Sequence, residues 1–308
     1  MQLCTCSPKY AGYEKGMVID MILGTVQLGL EYGINNRTGK PSKELAYDIL
    51  DYAYNNGIHM LDTASSYGDS EKAIGDYTLK TGNYFDICTK LPIEIEKHSL
   101  VVLLDESLKR LGYHELHTIY LHRFEQCTDK KILEQLIELK NKKTIEKIGI
   151  SIYEPDELHY ILKELPELID IIQIPFNILD CYRWKEDGLL SHASEKFTIY
   201  ARSIYLQGLL LMNVQDVFND EVKKHLLWIN EVAEKRNISV AELAMYFVEN
   251  EPAITDFIVG CENVEQLIKN IDMSKNAVGF SNEEIQNIHS YSKCIDKNIV
   301  DPRTWNLK

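Results

Sequence analysis

The sequence predicts an α/β fold in a single domain, a closed (β/α)8 barrel of the TIM-barrel type, because three observations agree. Eight short runs rich in Ile, Leu and Val recur along the chain, and most are apolar on both faces, as in buried parallel strands. Segments of helical periodicity separate them, so that most strand starts lie roughly 25–40 residues apart, the length of one βα unit. No linker rich in Pro, Gly or Ser divides the 308 residues.

The predicted strands follow one another without interruption. They are 20–25 (DMILGT), 59–64 (HMLDTA), 85–90 (FDICTK), 118–123 (TIYLHR), 147–152 (KIGISI), 171–176 (IIQIPF), 198–203 (TIYARS) and 256–261 (DFIVGC). Eight successive units favour closure of the sheet into a barrel. The alternative is an open, doubly wound sheet.

Helical patterns occupy the intervals between these strands. The pattern at 42–57 ends before Gly57, a glycine suited to a helix C-terminus, and places four apolar residues on one face: Leu45, Ile49, Leu50 and Ala53. A second pattern at 99–112 begins at Ser99, a residue suited to an N-cap, and closes at Gly112. The longest interval, before the last strand, holds two patterns, 220–236 and 239–250, which break near Asn237. The pattern at 264–271 follows the last strand.

Residues 19–308 are predicted to form the barrel together with a C-terminal tail, and residues 1–18 a loosely ordered N-terminal extension. The extension lacks the basic start and apolar core of a signal peptide. No apolar run approaches the roughly 20 residues of a membrane-spanning helix. The formal net charge of −14 argues against binding to nucleic acid or anionic membranes. We therefore expect a cytoplasmic protein.

The cysteine pattern supports the same compartment. The seven cysteines are scattered and include no C-x-x-C pair, which is typical of free thiols in a reducing environment. Cys4 and Cys6 have no nearby His or Cys to complete a set of four ligands. No metal site is expected.

Polar side chains stand at the ends of three neighbouring predicted strands. Asp62 ends the second strand, Lys90 the third, and His122 lies near the end of the fourth, while Tyr67 follows on the loop after the second. Function in such barrels sits at the C-terminal ends of the strands, so these groups should meet at one rim. Each residue alone has an ordinary structural explanation, such as a cap, a solvated charge or packing. The convergence of four favours a site in which Lys90 is the counter-ion of Asp62.

This set of residue types suits proton transfer. A free tyrosine has a pKa of about 10, too high for ready exchange near neutral pH. A neighbouring lysine held by a carboxylate is expected to lower that pKa, and a histidine beside the phenol can orient a carbonyl group. A proton donor at a carbonyl requires a nucleophile from elsewhere, and hydride is the obvious candidate.

From Gly24 to about Ile271 the chain resembles the aldo-keto reductases. Seven segments carry the resemblance, in family order: LDTASSYGDSE, ICTK, IYLHR, KIGIS, IIQIPFN, YARSIYLQGLL and FIVGCENVEQLIKNI. The resemblance implies that Tyr67 is the catalytic acid/base and that Asp62, Lys90 and His122 complete a tetrad. It also implies a nicotinamide cofactor at the barrel mouth. GTVQLGLEYGI near the start and DPRTW at 301–305 look closest to a bacterial branch.

The resemblance also implies a set of cofactor-binding residues. Arg202 takes the place where many members stack an aromatic ring on the nicotinamide. The others are Gly24 and Thr25 on the first strand, Asp62, Ser151 and Gln173 around the nicotinamide and its ribose, Ser203, Gln207 and Gly208 along the pyrophosphate, and Gly260, Gln266 and Asn270 beside the adenosine. The family binds its dinucleotide without a Rossmann domain, so the absence of G-x-G-x-x-G is consistent with this expectation.

Two departures from the family pattern concern the cofactor. Ile152 stands where an Asn often follows the serine of the fifth strand. Members specific for NADPH usually carry cations at the positions of Gly260 and Gln266, and Glu262 here adds a negative charge nearby. A 2′-phosphate depends on charge-assisted hydrogen bonds, for which Lys269 is the compensating candidate. The cofactor is therefore expected to be NADP(H) or NAD(H).

The substrate is expected to be a small carbonyl compound. The loops that set specificity in the family supply four candidate contacts: Tyr32, Arg123, Phe124 and Trp305. Ordinary loop packing explains each of them equally well. The polar first loop, with Asn35, Asn36, Arg37 and Lys40, favours a hydroxylated substrate such as a keto-sugar.

Two other functions remain open for the same barrel. One is a Schiff-base lyase with Lys90 as nucleophile, which the pairing with Asp62 disfavours. The other is a non-catalytic nicotinamide-binding subunit, which the intact tetrad disfavours. The oligomeric state cannot be read from the sequence.

Overall fold

The computed structural model describes residues 21–92, 99–217 and 219–305. The predicted extension at 1–18, including Cys4 and Cys6, lies outside the described residues. The eight strands form one closed, all-parallel barrel. They are β1 (Met21–Gly24), β2 (Met60–Asp62), β3 (Asp86–Lys90), β4 (Leu116–Leu121), β5 (Ile145–Ser151), β6 (Ile171–Pro175), β7 (Thr198–Arg202) and β8 (Asp256–Gly260).

Closure of the barrel is direct, since β8 pairs with β1 and places Gly24 opposite Gly260. The open, doubly wound alternative is therefore wrong. Each observed strand overlaps its predicted run. The strands run between helices that cover the outside of the barrel, and this arrangement places the C-terminal ends of all eight strands at one rim.

The helices of the described chain, in order, are α1 (Val26–Gly29), α2 (Lys43–Asn55), α3 (Ser70–Thr81), α4 (Leu100–Leu111), α5 (Lys130–Asn141), α6 (Pro155–Glu164), α7 (Tyr182–Lys185), α8 (Leu189–Ser194), α9 (Asp220–Arg236), α10 (Val240–Glu249), α11 (Val264–Lys275), α12 (Asn282–Ser292) and α13 (Lys297–Val300). Asn237 ends α9 in the left-handed conformation, with φ of 56°, which explains the break between two helical patterns. Gly112 ends α4 in the same way.

Two of the sequence-based details differ in the structure. The side chain of Ser99 occupies the N-cap position of α4 but makes no capping hydrogen bond. On α2 the residues Ile49, Leu50 and Ala53 are fully buried as predicted, whereas Leu45 is half-buried and its neighbour Ala46 is buried. The buried face of α2 is thus rotated slightly from the predicted one.

The core has two parts. A large cluster fills the space between the strands and the helices. A smaller cluster lies inside the barrel and comprises Ile22, Cys88, Tyr120, Ile171 and Tyr200. The Tyr120 ring packs against Gly149 of β5, where a Cβ would lie 2.5 Å from it. Only glycine leaves room for that ring, whose centroid lies 5.7 Å from the Nζ atom of Lys90.

Other observations concern cysteines, metals and membranes. The cysteines of the described chain, Cys88, Cys127, Cys181, Cys261 and Cys294, are all free thiols. Within 21–92, 99–217 and 219–305, no three His, Cys, Asp or Glu side chains come together as a metal site would require. None of the helices in those ranges combines the length and apolar character that crossing a membrane demands.

Candidate active site

The predicted carboxylate–lysine pair forms at the rim of the barrel. Asp62 is the last residue of β2 and Lys90 the last of β3, and the Lys90 Nζ lies 2.5 Å from Asp62 Oδ1. The side chain of Asp62 is 6% exposed and that of Lys90 is 2% exposed, so both are almost fully buried. Gln173 on β6 donates to the other carboxylate oxygen at 2.9 Å, and Lys90 also donates to the Thr63 carbonyl at 3.2 Å. Each buried charge is thus paired and hydrogen-bonded, as its burial requires.

Tyr67 reaches this pair from the loop between β2 and α3. Its ring centroid lies 5.2 Å from the Lys90 Nζ. The loop packs directly on α1, where a Cβ on Gly29 would lie 1.7 Å from the Tyr67 carbonyl oxygen. Gly68 follows with φ of +55°, a conformation that glycine adopts freely. These two glycines let the loop turn sharply enough to place the phenol over Lys90.

The electrostatic balance at Tyr67 differs from the sequence-based expectation. Burial raises the pKa of Tyr67, and this effect outweighs the lowering by the positive charges of Lys90 and Arg202. The net pKa lies above its ordinary value, so the expectation of a lowered pKa is wrong. Burial alone would lower the pKa of Lys90, but Asp62 and Tyr67 raise it. The phenol is therefore neutral and the ammonium charged near neutral pH.

His122 follows β4 and faces the same cavity. Burial, followed by the positive charges of Lys90 and Arg202, lowers its pKa to about 4, so the imidazole is neutral at physiological pH. Its Nδ1 atom is buried without a hydrogen-bond partner among the described residues. The buried Gln126 fixes the backbone here, since its side-chain oxygen accepts from the N–H of His122 at 2.7 Å.

A cavity of about 360 Å³ opens above these four side chains, within the size range of ligand pockets. It continues along the rim toward β8 and α11. All the residues that the family resemblance assigned to the cofactor line it: Gly24, Thr25, Asp62, Ser151, Gln173, Arg202, Ser203, Gln207, Gly208, Gly260, Gln266 and Asn270. The structure therefore brings the predicted catalytic and cofactor residues together in one cavity.

Arg202, the last residue of β7, is held at the wall of this cavity by neutral partners. Its Nε donates to Ser151 Oγ at 3.3 Å, and one terminal nitrogen donates to the Ile152 carbonyl at 3.2 Å. The other donates to Ser203 Oγ at 3.4 Å. The guanidinium carbon lies 4.0 Å from the centroid of the Tyr153 ring. None of these partners is a carboxylate, so the charge of Arg202 is not neutralised by them.

At its far end the cavity is bounded by the start of α11. The Gln266 side chain accepts from the backbone N–H of Glu262 at 2.8 Å. The Glu262 carboxylate in turn accepts from Thr38 Oγ1 at 3.1 Å, which joins the first loop to the end of β8. Lys269, one turn further along α11, also lines the cavity and is exposed. This end thus holds one carboxylate and one lysine, and Gly260 and Gln266 are uncharged.

The structure places the four predicted substrate contacts in different surroundings. Tyr32 lines the cavity, and burial together with the nearby Tyr67 raises its pKa. The described residues that line the cavity do not include Arg123, Phe124 or Trp305. Arg123 is exposed, Phe124 packs edge-on against Tyr160, and the Trp305 indole donates to the Asn298 carbonyl at 3.0 Å. Their placement does not support substrate contact.

Three of the cavity residues with amide or hydroxyl side chains were not singled out from the sequence: Gln27, Tyr153 and Tyr205. Gln27 lies inside the GTVQLG segment, and its side chain covers Gly260, where a Cβ would lie 2.3 Å from Gln27 Oε1. Both Gln27 Oε1 and the Tyr205 hydroxyl are buried without hydrogen-bond partners in the described chain. Tyr153 comes two residues after Ser151, and that proximity to a predicted site residue was the available signal.

Comparisons with known proteins agree with this fold and site. The model of the Aldo/keto reductase family matches residues 20–293. The uncharacterized oxidoreductase YqkF of Bacillus subtilis is 27% identical over 300 residues, covering 88% of this chain and 95% of that protein. L-glyceraldehyde 3-phosphate reductase of Escherichia coli O157:H7 is 25% identical, and the match covers 87% of this chain and 89% of that protein.

A solved structure gives the same fold. The aldo/keto reductase of Klebsiella pneumoniae, in complex with NADP and acetate, superposes with a TM-score of 0.69 over 92% of this chain and 95% of that one. Its sequence identity is 19%, so this likeness bears on the fold alone.

Proposed function

The chain belongs to the aldo/keto reductase family, and from this premise we propose that it is an NAD(P)H-dependent oxidoreductase that reduces an aldehyde or ketone to the alcohol. The observation that carries the proposal is the position of the Tyr67 ring, 5.2 Å from the Nζ atom of Lys90 in the buried Lys90–Asp62 pair, at the end of a cavity lined by the expected cofactor residues. The family is one of oxidoreductases, and the similar proteins named above are a reductase and an oxidoreductase.

The residues present fit a nicotinamide dinucleotide. The cavity follows the rim from Lys90 to α11, and beside Gly260 in its wall lies Gln27 Oε1, a buried polar atom that lacks a hydrogen-bond partner in the described chain. Such atoms are costly unless a ligand satisfies them. The charge of Arg202, bound only to neutral groups, suits an anionic or polar ligand. NADP is the dinucleotide of the similar Klebsiella pneumoniae structure.

A reduced nicotinamide held by the residues that line the cavity, Ser151, Gln173 and Arg202 among them, would supply hydride for the carbonyl carbon of the substrate. Tyr67 donates its phenolic proton to the carbonyl oxygen. The raised pKa keeps the phenol protonated and able to donate. The phenolate that remains lies next to the Lys90 ammonium, which Asp62 holds in place at 2.5 Å. Stabilisation of that phenolate by a fixed charge lowers the barrier to proton transfer.

His122 has a separate task. With its pKa lowered to about 4, it is a neutral imidazole with one N–H, which has the Leu91 backbone as its partner in this structure. Transfer of that hydrogen bond to the substrate oxygen would orient the carbonyl between the two side chains. A neutral donor suits a site that already contains the charges of Lys90 and Arg202, which are the causes, after burial, of its low pKa.

The two alternative functions fit less well. A Schiff-base lyase needs an unprotonated lysine, whereas the Asp62 carboxylate raises the pKa of Lys90 and accepts a hydrogen bond from it. A non-catalytic subunit has no need for the four polar groups to converge on one cavity, yet Asp62, Tyr67, Lys90 and His122 all line it.

The substrate is proposed to be a hydroxylated carbonyl compound such as a keto-sugar. Asn35 and Asn36 of the first loop line the cavity, together with Tyr32. Asn36 is used internally, because its amide donates to the Tyr32 and Gly39 carbonyls at 3.2 and 3.3 Å. Asn35 is thus placed to contact a substrate, as is the Tyr32 hydroxyl, which already has the Gln207 side chain as one hydrogen-bond partner. A comparison of aldoses and ketoses with aliphatic and aromatic aldehydes tests this assignment.

The decisive experiment is the change Tyr67→Phe, which removes the phenolic proton and keeps the ring. Turnover of the best carbonyl substrate should fall by about 10²–10⁴-fold or more, as expected for loss of a general acid. The dissociation constant of the reduced cofactor should change little. Turnover is followed by absorbance of the reduced nicotinamide, and Tyr160→Phe on α6 serves as the matched control. Retention of most of the parent rate by Tyr67→Phe would refute the proposal.

A further inference from the structure

The DPRTW segment at 301–305 joins the C-terminal tail to the loop that follows β5. Arg303 forms an ion pair with Asp301 at 2.6 Å and another with Glu154 at 3.0 Å. Its guanidinium carbon also lies 3.7 Å from the centroid of the Tyr153 ring. Arg202 contacts the same ring at 4.0 Å. One tyrosine ring therefore contacts two guanidinium groups, one from the tail and one from the cavity wall.

Charged side chains also hold the backbone and the residue next to Tyr153. Arg183 donates to the Tyr153 carbonyl at 2.6 Å and pairs with Glu154 at 3.1 Å. Lys297, also in the tail, pairs with Glu154 at 2.7 Å. The loop after β5 is thus clamped by charges from two directions, and Arg303 is the member of the clamp that also contacts the ring.

We propose that Arg303 is a positioning residue for the nicotinamide end of the cofactor, acting through Tyr153 on Arg202. The inference rests on the proposed function, because Arg202 lines the cavity close enough to Tyr67 and His122 to act on both electrostatically, and the nicotinamide would have to lie beside these two residues to reach the carbonyl. Within the described chain, the hydrogen-bond partners of Arg202 include no carboxylate. The contact with the Tyr153 ring supports one side of the guanidinium through a cation–π interaction. Contact with Arg303 restrains that ring, and so restrains Arg202.

This arrangement explains why a segment outside the barrel carries a distinct sequence pattern. Asp301 is 5% exposed and orients Arg303 through three hydrogen bonds to its side chain. The Thr304 hydroxyl donates to the Asp301 carbonyl at 2.8 Å, and the Trp305 indole donates to the Asn298 carbonyl. Arg303 therefore contacts Tyr153 and Asp301 holds Arg303, while Thr304 and Trp305 bond to the backbone of the tail itself.

The test compares two ligands by titration calorimetry: the preferred reduced dinucleotide and the matching ADP-ribose, which lacks the nicotinamide. Arg303→Met should weaken the dinucleotide about three- to tenfold, the size expected from loss of one cation–π contact between partly exposed groups. ADP-ribose affinity should be unchanged. Lys297→Met is the matched control, because it removes a tail ion pair to Glu154 without touching the Tyr153 ring, and it should leave both affinities at the parent value.

Two further variants separate positioning from a general loss of tail structure. Arg303→Lys keeps a charge for Asp301 and Glu154 but lacks the planar group, so it should weaken the dinucleotide without lowering the melting temperature. Tyr153→Leu should weaken binding of the dinucleotide to a similar extent, and adding Arg303→Met to it should cause no further loss.

Unchanged dinucleotide affinity in Arg303→Met, or equal losses of affinity for the dinucleotide and for ADP-ribose, overturns the inference about Arg303 alone. A parent chain that binds neither NADH nor NADPH overturns the proposed function itself.

Discussion

A buried carboxylate at the end of a strand is the single residue from which the site can be deduced. Asp62 follows the apolar pair Met60 and Leu61, and a charge there is costly without a partner. Strand spacing alone predicted Lys90 as that partner, and the structure confirms the pair at 2.5 Å. The second partner, Gln173, lies 111 residues away and was assigned only through the family resemblance.

The direction of the Tyr67 pKa could not be predicted from residue types. The sequence shows that a lysine is near the phenol, but it does not show how much water the fold removes. Burial raises the pKa of Tyr67 by more than the charges of Lys90 and Arg202 lower it. An electrostatic balance of this kind depends on three-dimensional burial, so sequence-based reasoning can name its contributors and not its sign.

Replacement of the buried lysine tests the pair itself. Lys90→Met should abolish carbonyl reduction and destabilise the fold by about 3–5 kcal/mol, because it leaves the Asp62 carboxylate buried without its counter-ion. The double variant Asp62→Asn/Lys90→Met should recover much of the stability and none of the activity. The free energy of unfolding from urea titration and the reduction rate are the two measurements.

The same lysine distinguishes the reductase from a Schiff-base lyase. Treatment of the parent chain with borohydride in the presence of a carbonyl ligand should leave Lys90 unmodified, because its pKa is raised by Asp62. Peptide mass mapping detects any adduct. A stable adduct on Lys90 would favour the lyase and count against the role of Tyr67.

At the scale of elements, the start of α11 sets the expected choice between the two dinucleotides. Asn263 caps this helix, and the Gln266 side chain is occupied by the Glu262 N–H. A 2′-phosphate normally binds to cations through charge-assisted hydrogen bonds of about 1.5–3 kcal/mol each. Lys269 is the cation that lines this end of the cavity. We therefore predict a modest preference for NADPH, or a preference for NADH.

Dissociation constants of NADH and NADPH at fixed ionic strength measure that preference. Gln266→Arg should shift it toward NADPH by about tenfold or more, since 1.4 kcal/mol corresponds to a factor of ten. Glu262→Gln should also shift the preference toward NADPH, by a smaller factor, and Lys269→Gln should shift the preference toward NADH. Lys275→Gln, at the exposed end of α11, is the control. A parent preference for NADPH beyond about a hundredfold, or about 2.7 kcal/mol, would contradict the prediction.

The contact between α3 and α4 depends on one glycine. A Cβ on Gly75 would lie 2.1 Å from the carbonyl oxygen of Arg110, so any side chain there forces the two helices apart. Gly75→Ala should destabilise the protein by about 1–3 kcal/mol in urea titration, the usual cost of overpacking. Gly279→Ala, whose Cβ would meet its nearest atom at 3.4 Å, is the control and should change stability far less.

Strands and helices were more predictable than loops for a physical reason. Buried parallel strands and amphipathic helices have periodic sequences, so each observed strand overlaps a predicted run. The loop after β7 has no period, and its course depends on positive φ values at Ser203, Leu206 and Gln207, which non-glycine residues seldom adopt. Arg123 and Phe124 were placed in the substrate site because loop direction cannot be read from residue type.

On the scale of the whole molecule, closure of the barrel turns sequence separation into proximity. Tyr153 comes from the loop after β5, Arg202 from the end of β7 and Arg303 from the C-terminal tail. The two guanidinium groups nevertheless contact the same tyrosine ring. The eightfold alternation predicted the barrel, and hence which strand ends would meet. It contained nothing about the path of the tail, because a non-repeating segment can return to the rim at any point.

The pH dependence of stability offers a test of how the whole fold holds His122. Its pKa of about 4 in the folded protein lies below the ordinary value of 6.5, because burial and neighbouring cations disfavour the charged form. The unfolded chain therefore binds a proton first as the pH falls. The stabilising contribution of neutral His122 is fully present above pH 6.5 and is lost progressively as the pH falls toward 4.

Between pH 7 and pH 5 this single group should remove about 2 kcal/mol from the free energy of unfolding, at about 1.4 kcal/mol per pKa unit. His122→Asn should therefore lose less stability than the parent over that interval, by the same amount, in urea titrations at the two pH values. His159→Gln, on the exposed face of α6, is the matched control for loss of one imidazole. Equal losses in His122→Asn and the parent would mean that folding does not lower the pKa of His122 below its ordinary value of 6.5, and the argument that the imidazole is neutral because of its burial and neighbouring cations would be wrong.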